Sequence, residues 1–424
     1  MENRKQSQSA GPLAGLRVVE FAGIGPAPFA CMLLSDMGAD VVTIERTGKK
    51  IGGPADIIAR GRTVVVADLK DANSRDEVLT LLDHADVLIE GFRPGVTESL
   101  GLGPESLAQR NPKLVYGRIT GWGQTGPLAH RAGHDVNSIA LTGALGAIGP
   151  ANGPPSIPLN LIGDYAGGSV YLVAGILAAL YERQSSGKGQ VFEAAITDGT
   201  ISLMSLFASF ALRGKYTERR GVNMLDGGAP YYNVYRTADG QYVLVGALEP
   251  KFFAELCERV GVNPDLRAYQ FDGQHWPQLR EEFARLFEMR TREEWEALLE
   301  NTDACFAPVL TLSEAMRHPH NVERASFIEV TGVSQPAPAP RFSRTPAAVQ
   351  NKIAIEPGRW RKYWHPGVSR ALEGSNKICV GSFFSPHAPA AYGHARPFTD
   401  ISLLFRMEKT RKCKTKDRRA GMPG

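Results

Sequence analysis

The amino-acid sequence predicts an α/β fold in which a large unit on a parallel sheet is followed by a smaller α+β unit. Three observations carry this. Short β-branched runs alternate with helical segments between residues 15 and 120, the pattern of a sheet covered on both faces. The first run, Leu16-Arg17-Val18-Val19-Glu20-Phe21, passes into a proline-started helix and then a second strand, a βαβ opening. After residue 230 the rhythm changes to a hairpin pattern, Tyr231–Tyr235 and Tyr242–Leu248 around Ala238-Asp239-Gly240.

Taken in order, the first helix is expected over Pro26–Met37, because prolines at 26 and 28 suit a first turn and Gly38 suits a stop. Val41–Glu45, Thr63–Ala67, Val87–Glu90 and Leu114–Ile119 read as strands, with Ser74–His84 a helix among them. Asp135–Leu145 reads as a helix, and a long apolar helix runs from Asp164, its expected N-cap, to about Gln184. Helices near Lys251–Val260, Trp276–Glu288 and Arg292–Glu300 complete the smaller unit. The expected boundaries are 11–200 for the large unit, 201–230 for a linker, 231–315 for the small unit, 316–346 for a return segment and 347–424 for a tail.

Composition is that of a soluble globular protein, at 43% hydrophobic and 22% charged residues over 424. The longest uninterrupted apolar stretches, such as Val170–Tyr181, are shorter than a bilayer span, and charge without an apolar run follows Met1. A cytoplasmic protein with no membrane partner is expected. Five scattered cysteines without a C-x-x-C pair read as reduced packing residues. The net charge of +4 is uneven: residues 351–424 hold 15 Lys and Arg against 5 Asp and Glu, leaving 33 against 39 in the remainder. The basic run reads as a solvated, poorly ordered tail, so no nucleic-acid partner is expected. His318-Pro319-His320 lacks companions at ligand spacing, and no metal is expected.

Several residue groups carry possible chemistry. Gly23-Ile24-Gly25 follows the first strand, but Pro28 occupies the third glycine position of a dinucleotide loop, so that geometry is incomplete. Arg46, Lys70 and Arg93 all stand at strand ends, where open α/β sheets bind ligands, and three cations there suit a phosphorylated ligand such as coenzyme A. His134, Asp164 and Glu249 are three titratable residues at predicted element boundaries; each taken alone reads first as a capping or core group.

Five separated motifs, in order, carry a resemblance: Glu90-Gly91-Phe92-Arg93-Pro94-Gly95-Val96; Gly121-Trp122-Gly123-Gln124-Thr125-Gly126-Pro127; Gly133-His134-Asp135-Val136-Asn137; Gly163-Asp164-Tyr165-Ala166-Gly167-Gly168; and Met224-Leu225-Asp226-Gly227-Gly228-Ala229-Pro230-Tyr231-Tyr232. From about Gly11 to Pro346 the chain resembles the racemase branch of the class III CoA-transferase (CaiB/BaiF) family. The resemblance implies a Rossmann-like large domain, a small domain and an interlocked homodimer, with the active site between the large domain of one subunit and the small domain of the other. It implies inversion at C2 of 2-methylacyl-CoA thioesters, with His134 and Asp164 as the acid/base pair and Glu249 as the carboxylate supporting the histidine. It also implies CoA contacts at Arg46, at Ala67, Asp68, Leu69 and Lys70, at Gly91, Phe92 and Arg93, and along Gly133, Asp135, Val136 and Asn137. CoA is part of the substrate, and no separate cofactor is implied.

The residue types suit that chemistry. Inversion needs one base on each face of the carbon, and His and Asp on different segments can exchange the two roles. The developing enolate needs donors, which the N-terminus of a helix beginning at Asp164 would present, and Gly167 and Gly168 would allow close approach. Met224, Tyr231 and Tyr232 are candidates for lining the acyl pocket. Two positions depart from the branch: Ser99 stands where it carries a basic residue, and Ser138 where it carries Tyr. The alternative enzyme is a CoA-transferase moving CoA between carboxylic acids through an Asp164 acyl anhydride, which would leave His134 without a task. A non-catalytic acyl-CoA-binding protein is the third reading.

Overall fold

A computed structural model describes residues 11–46 and 55–350. The expected tail beyond residue 350 lies outside the described residues.

The large lobe forms around six parallel strands: β1 (Arg17–Phe21), β2 (Asp40–Glu45), β3 (Arg62–Val66), β4 (Val87–Glu90), β5 (Val115–Thr120) and β6 (Val191–Ala195), in the order β3-β2-β1-β4-β5-β6. Strand order therefore reverses direction between β1 and β4, which opens a crevice at their carboxyl ends. The expected α/β class is the observed one. The sequence reading did not assign β6; it lies at the sheet edge, and its first three residues stay partly exposed, so it lacks the continuous apolar signature of a central strand.

Helices cover both faces. On one, α1 (Pro26–Asp36) packs Cys31 and Leu34 with Val41, Ile89, Leu172 and Ile176. On the other, α2 (Ala72–Leu82) buries Val78, Leu81 and Leu82, capped by Asp71, whose side chain accepts the Ser74 N–H at 2.8 Å. The short helix α3 (Val96–Ser99) and α4 (Pro104–Arg110) follow on that second side, where Leu107 joins the same core. Beneath the strands Glu20, Thr43 and Arg62, from three neighbouring strands, form a sealed network: Glu20 accepts from the Thr43 hydroxyl at 2.6 Å and from the Arg62 guanidinium.

Downstream come α5 (Asp135–Ala140) and α6 (Ala144–Ala147), separated by a break at Gly143, which has φ +82°. The single helix expected over Asp135–Leu145 is thus two. Residues Leu161–Val170 coil as a π-helix that continues into α7 (Tyr171–Ser186), which ends on Gly187 at φ +72°. By length and composition Leu161–Ser186 is apolar and long enough to cross a membrane, a length the sequence stretches did not suggest because Ser169 and Glu182 bound the run Val170–Tyr181. Here α7 packs on β5, β6 and α1. Then α8 (Ile196–Leu203) crosses the π-helical segment closely enough that a Cβ on Gly199 would fall 1.9 Å from the Gly167 carbonyl oxygen. An apolar helix, α9 (Ser205–Leu212), buries none of its residues.

The small lobe is a three-stranded antiparallel sheet, β7 (Tyr232–Arg236), β8 (Tyr242–Gly246) and β9 (Phe306–Pro308), with α10 (Pro250–Val260), α11 (Trp276–Phe287) and α12 (Arg292–Leu299) packed on it. The hairpin was legible; β9 was not, being three residues ending in proline. Beyond it, Phe327–Val330 and Val333–Pro336 pair as a hairpin. Arg60 of the large lobe donates to Asp36, to Gln335 Oε1 at 2.9 Å and to the Pro336 carbonyl at 2.7 Å, while Phe342 packs on the large-lobe core and the Ala348 N–H donates to Asp36 O at 3.0 Å.

Candidate active site

A cavity of about 490 Å³ opens at the carboxyl ends of β1 and β4, the point where strand order reverses. Its walls come from four segments: Gly23–Gly25 after β1 with the start of α1, Gly91–Pro94 after β4, Gly121 and Trp122 after β5, and Arg131–His134 with the first residue of α5, Asp135, closed by Asn160, Asp164 and Ile196.

His134 precedes α5 in extended conformation, and its N–H donates to Asn137 Oδ1 at 3.0 Å. That bond anchors the backbone and leaves the side chain exposed at the cavity wall. The loop before it lies flat on Trp122: a Cβ on Gly133 would fall 2.7 Å from the indole ring, so only glycine permits the approach.

Asp164 reaches the cavity from the π-helical segment and is half-buried. Burial pushes its carboxyl above the usual carboxylate range, the neighbouring Asp135 pushes it further, and the Asn160 amide and His134 draw it back. The Asn160 amide stands 3.4 Å from Asp164 Oδ2. Gly25, at φ +76°, opens α1 against the same carboxylate, and a Cβ there would lie 2.8 Å from Oδ2. Gly25→Ala is therefore expected to displace Asp164 and lower turnover about 10- to 100-fold, the scale of an ångström of misplacement. Steady-state kinetics beside thermal unfolding would separate this loss from the backbone strain of an alanine at positive φ.

One expectation is corrected. Asp164 does not cap its helix: Asn160 holds the N-cap position and coiling starts at Leu161. The Asp164 N–H is also taken, donating to Asp135 Oδ1 at 2.6 Å, so it is not a free donor for a thioester oxygen. Beside it, the first turn of α1 faces the cavity; there Pro26 and Pro28 have no N–H, and Ala27 retains one.

The structure brings His134, Asp164, Asp135, Gly133, Gly91, Phe92 and Arg93 to one cavity. Arg46 and the Ala67–Lys70 turn stand at the same edge of the sheet, joined by the Ala67 N–H to Glu45 O bond at 2.9 Å, but outside the cavity wall, as are Val136 and Asn137. Phe92 is held twice: its N–H donates to Glu90 Oε2 at 2.7 Å, and its ring stacks on Phe21 at 6.1 Å. Buried Glu90 in turn accepts from Arg118 Nε at 2.8 Å.

Glu249 is not brought to His134. It is exposed at the N-cap of α10 in the small lobe, outside the cavity wall. Nor does Tyr231 line this cavity: it is fully buried in the small-lobe core, edge-on to Phe253 and Trp276, with Met224 and Tyr232 packed against that core. Its place in a motif masked an ordinary packing role. Ser138 is buried below Gly121, and the Ser99 hydroxyl donates to Val96 O at 2.7 Å. Sequence reasoning missed Arg131 and Asn160 as wall residues, and it gave Trp122 and Gly25 no role beyond the glycine-rich loops that hold them. Among the described residues no cluster of three His, Cys, Asp or Glu could hold a metal ion.

Comparison with known proteins agrees with this architecture. Residues 13–353 match the model of CoA-transferase family III. The alpha-methylacyl-CoA racemase of Mus musculus is 44% identical over 341 residues, 80% of this chain and 89% of that protein. The succinyl-CoA–D-citramalate CoA-transferase of Chloroflexus aurantiacus is 32% identical, over 80% of this chain and 89% of its own length. Among solved structures, a hypothetical protein of Mycobacterium tuberculosis superposes with a TM-score of 0.70 at 29% identity, covering 84% of this chain and 99% of its own. A family match spanning both lobes, with a doubly wound sheet and its cavity at the switch point, leaves one conclusion: the chain belongs to CoA-transferase family III.

Proposed function

We propose that this protein is a racemase that interconverts the (R) and (S) forms of 2-methylacyl-CoA thioesters. The observation that carries the reading is the convergence of His134 and Asp164, from separate elements, on one cavity. The 44% identity to a racemase over most of both chains supports it. In one direction neutral His134 takes the C2 proton, the C–H electrons pass to the thioester oxygen as an enolate, and protonated Asp164 returns a proton to the opposite face. In the other direction the Asp164 carboxylate is the base and protonated His134 the acid. Both directions start from a pair carrying one proton, and the raised Asp164 carboxyl favours sharing it with an imidazole.

CoA enters as part of the substrate, with Arg46, Lys70 and Arg93 at the sheet edge as its phosphate partners, and no separate cofactor takes part. The working form is a homodimer in which Glu249 of the partner subunit supports His134. The exposed apolar helix α9, with Leu212 91% accessible, and the separation of Glu249 from this chain's own cavity support that form.

A pH consequence follows. Because the active pair holds one proton whichever enantiomer binds, kcat/KM should be bell-shaped with the same limbs for both enantiomers. Activity falls on the acid side when the pair gains a second proton. Burial raises the Asp164 carboxyl, so that limb lies above the range of an ordinary aspartate; profiles of both enantiomers check it.

The deciding experiment incubates the purified protein with one enantiomer of a 2-methylacyl-CoA in D2O, without acceptor acid. Deuterium at C2 with loss of chirality is expected. A protonated, chiral C2 together with CoA transfer to an added carboxylic acid would make the protein a transferase instead.

A further inference from the structure

We infer that Asp135 is a positioning residue for Asp164, its buried carboxylate holding the first turn of the π-helical segment so that the catalytic carboxyl faces C2. The inference rests on the racemase reading above, and extends it to a residue that need not touch substrate.

The argument begins with hydrogen-bond register. In a π-helix the first intrahelical donor comes one residue later than in an α-helix, and here the Tyr165 N–H donates to Asn160 O at 3.2 Å. The N–H groups of Gly163 and Asp164 are left without an acceptor inside the helix. The Asp164 N–H turns to Asp135, 29 residues upstream on α5, whose Oδ1 accepts it at 2.6 Å, with the Gly163 N–H beside the same carboxylate. The approach requires glycine at 163, since a Cβ there would lie 2.2 Å from that oxygen. The other oxygen, Oδ2, is sealed from solvent with no hydrogen-bond partner among the described residues. A buried, half-satisfied carboxylate is costly, and such a cost persists where it holds something in place. What it holds is the peptide of the residue that must face C2.

The same proximity couples the two acids. Asp135 lies near enough to push the Asp164 carboxyl up, while burial pushes its own carboxyl up although the backbone N–H groups of Asp164 and Gly163 draw it back. The other polar groups around Asp164 are His134, Arg93 and Arg131 on the cavity wall and Asn160 before the helix, with Asp198 in the first turn of α8, the helix crossing this segment.

The test uses the full chain with Asp135→Ala and Asp135→Asn. It reads racemisation kinetics and the ¹³C titration of the Asp164 carboxyl, identified by its loss in Asp164→Asn. Asp135→Ala is expected to lower kcat about 100-fold while KM for the thioester changes less than about threefold, since it misaims a reacting group without removing a substrate contact. Asp135→Asn keeps an acceptor oxygen but removes the charge, so Asp164 titrates at lower pH and the acid limb of the rate profile moves down with it. Undiminished kcat in Asp135→Ala overturns the inference, as does an Asp164 titration unmoved in Asp135→Asn. A rise confined to KM overturns it too, because it would make Asp135 a CoA contact. If the wild-type protein exchanges no C2 proton, the racemase reading itself fails, and the Asp164 titration still decides whether Asp135 governs its neighbour.

Discussion

His134→Ala is expected to lower racemisation about 10²- to 10⁴-fold, the contribution of a positioned general base, and Asp164→Ala to do the same. The two residues act as one unit: each turnover needs a base on one face and an acid on the other, and one proton serves both. The double variant should therefore lose little more than either single one, because groups that act together are grossly non-additive. Thermal unfolding should change little for His134, whose side chain is exposed and whose backbone bond to Asn137 survives the substitution. Chiral analysis of C2 after incubation of each variant with each enantiomer checks the expectation. A transferase would behave differently: His134→Ala would still form an Asp164 anhydride and pass CoA to an acceptor, while Asp164→Ala would be dead.

Glu20→Ala should cost about 3–5 kcal/mol of stability, the cost of breaking a buried ion pair. Glu20 is sealed in the middle of the sheet and pairs with Arg62, itself nearly buried, while also accepting from the Thr43 hydroxyl. Removing the carboxylate leaves a guanidinium in a low-dielectric interior with no counter-charge at that position, and the Thr43 hydroxyl loses its acceptor. Replacing both charges, as Glu20→Leu with Arg62→Met, should restore most of the loss, since the destabilisation lies in the orphaned ion rather than in a missing attraction. Urea unfolding midpoints of the three forms decide this; an unchanged midpoint in Glu20→Ala would show that the pair carries no such strain.

The legible parts of the fold were those that local chemistry dictates. Prolines 26 and 28, the glycine at 38 and the buried strand on either side marked β1-α1-β2 almost to the residue, because cap and turn preferences act within a few residues. The edge strand β6 and the three-residue β9 were illegible for the opposite reason: each exists through a partner far away in the chain, Val115–Thr120 for one and Tyr242–Gly246 for the other. Tyr231 shows the same limit at a single residue. Its motif suggested a pocket wall, whereas packing against Phe253 and Trp276 made it core.

By itself the sequence determined the βα alternation, the family motifs and the identity of the two residues proposed as acid and base. It could do so because strand and helix periods, caps and short motifs are local. Only the tertiary structure decided that His134 and Asp164 share a cavity at the β1–β4 switch point, and that Glu249 stands in the other lobe. It alone turned Asp164 from an expected cap into a half-buried acid whose N–H belongs to Asp135. The physical reason is that burial, charge coupling and the destination of an orphaned N–H depend on what folds against a residue, and for the Asp164 N–H that neighbour, Asp135, comes from 29 residues away.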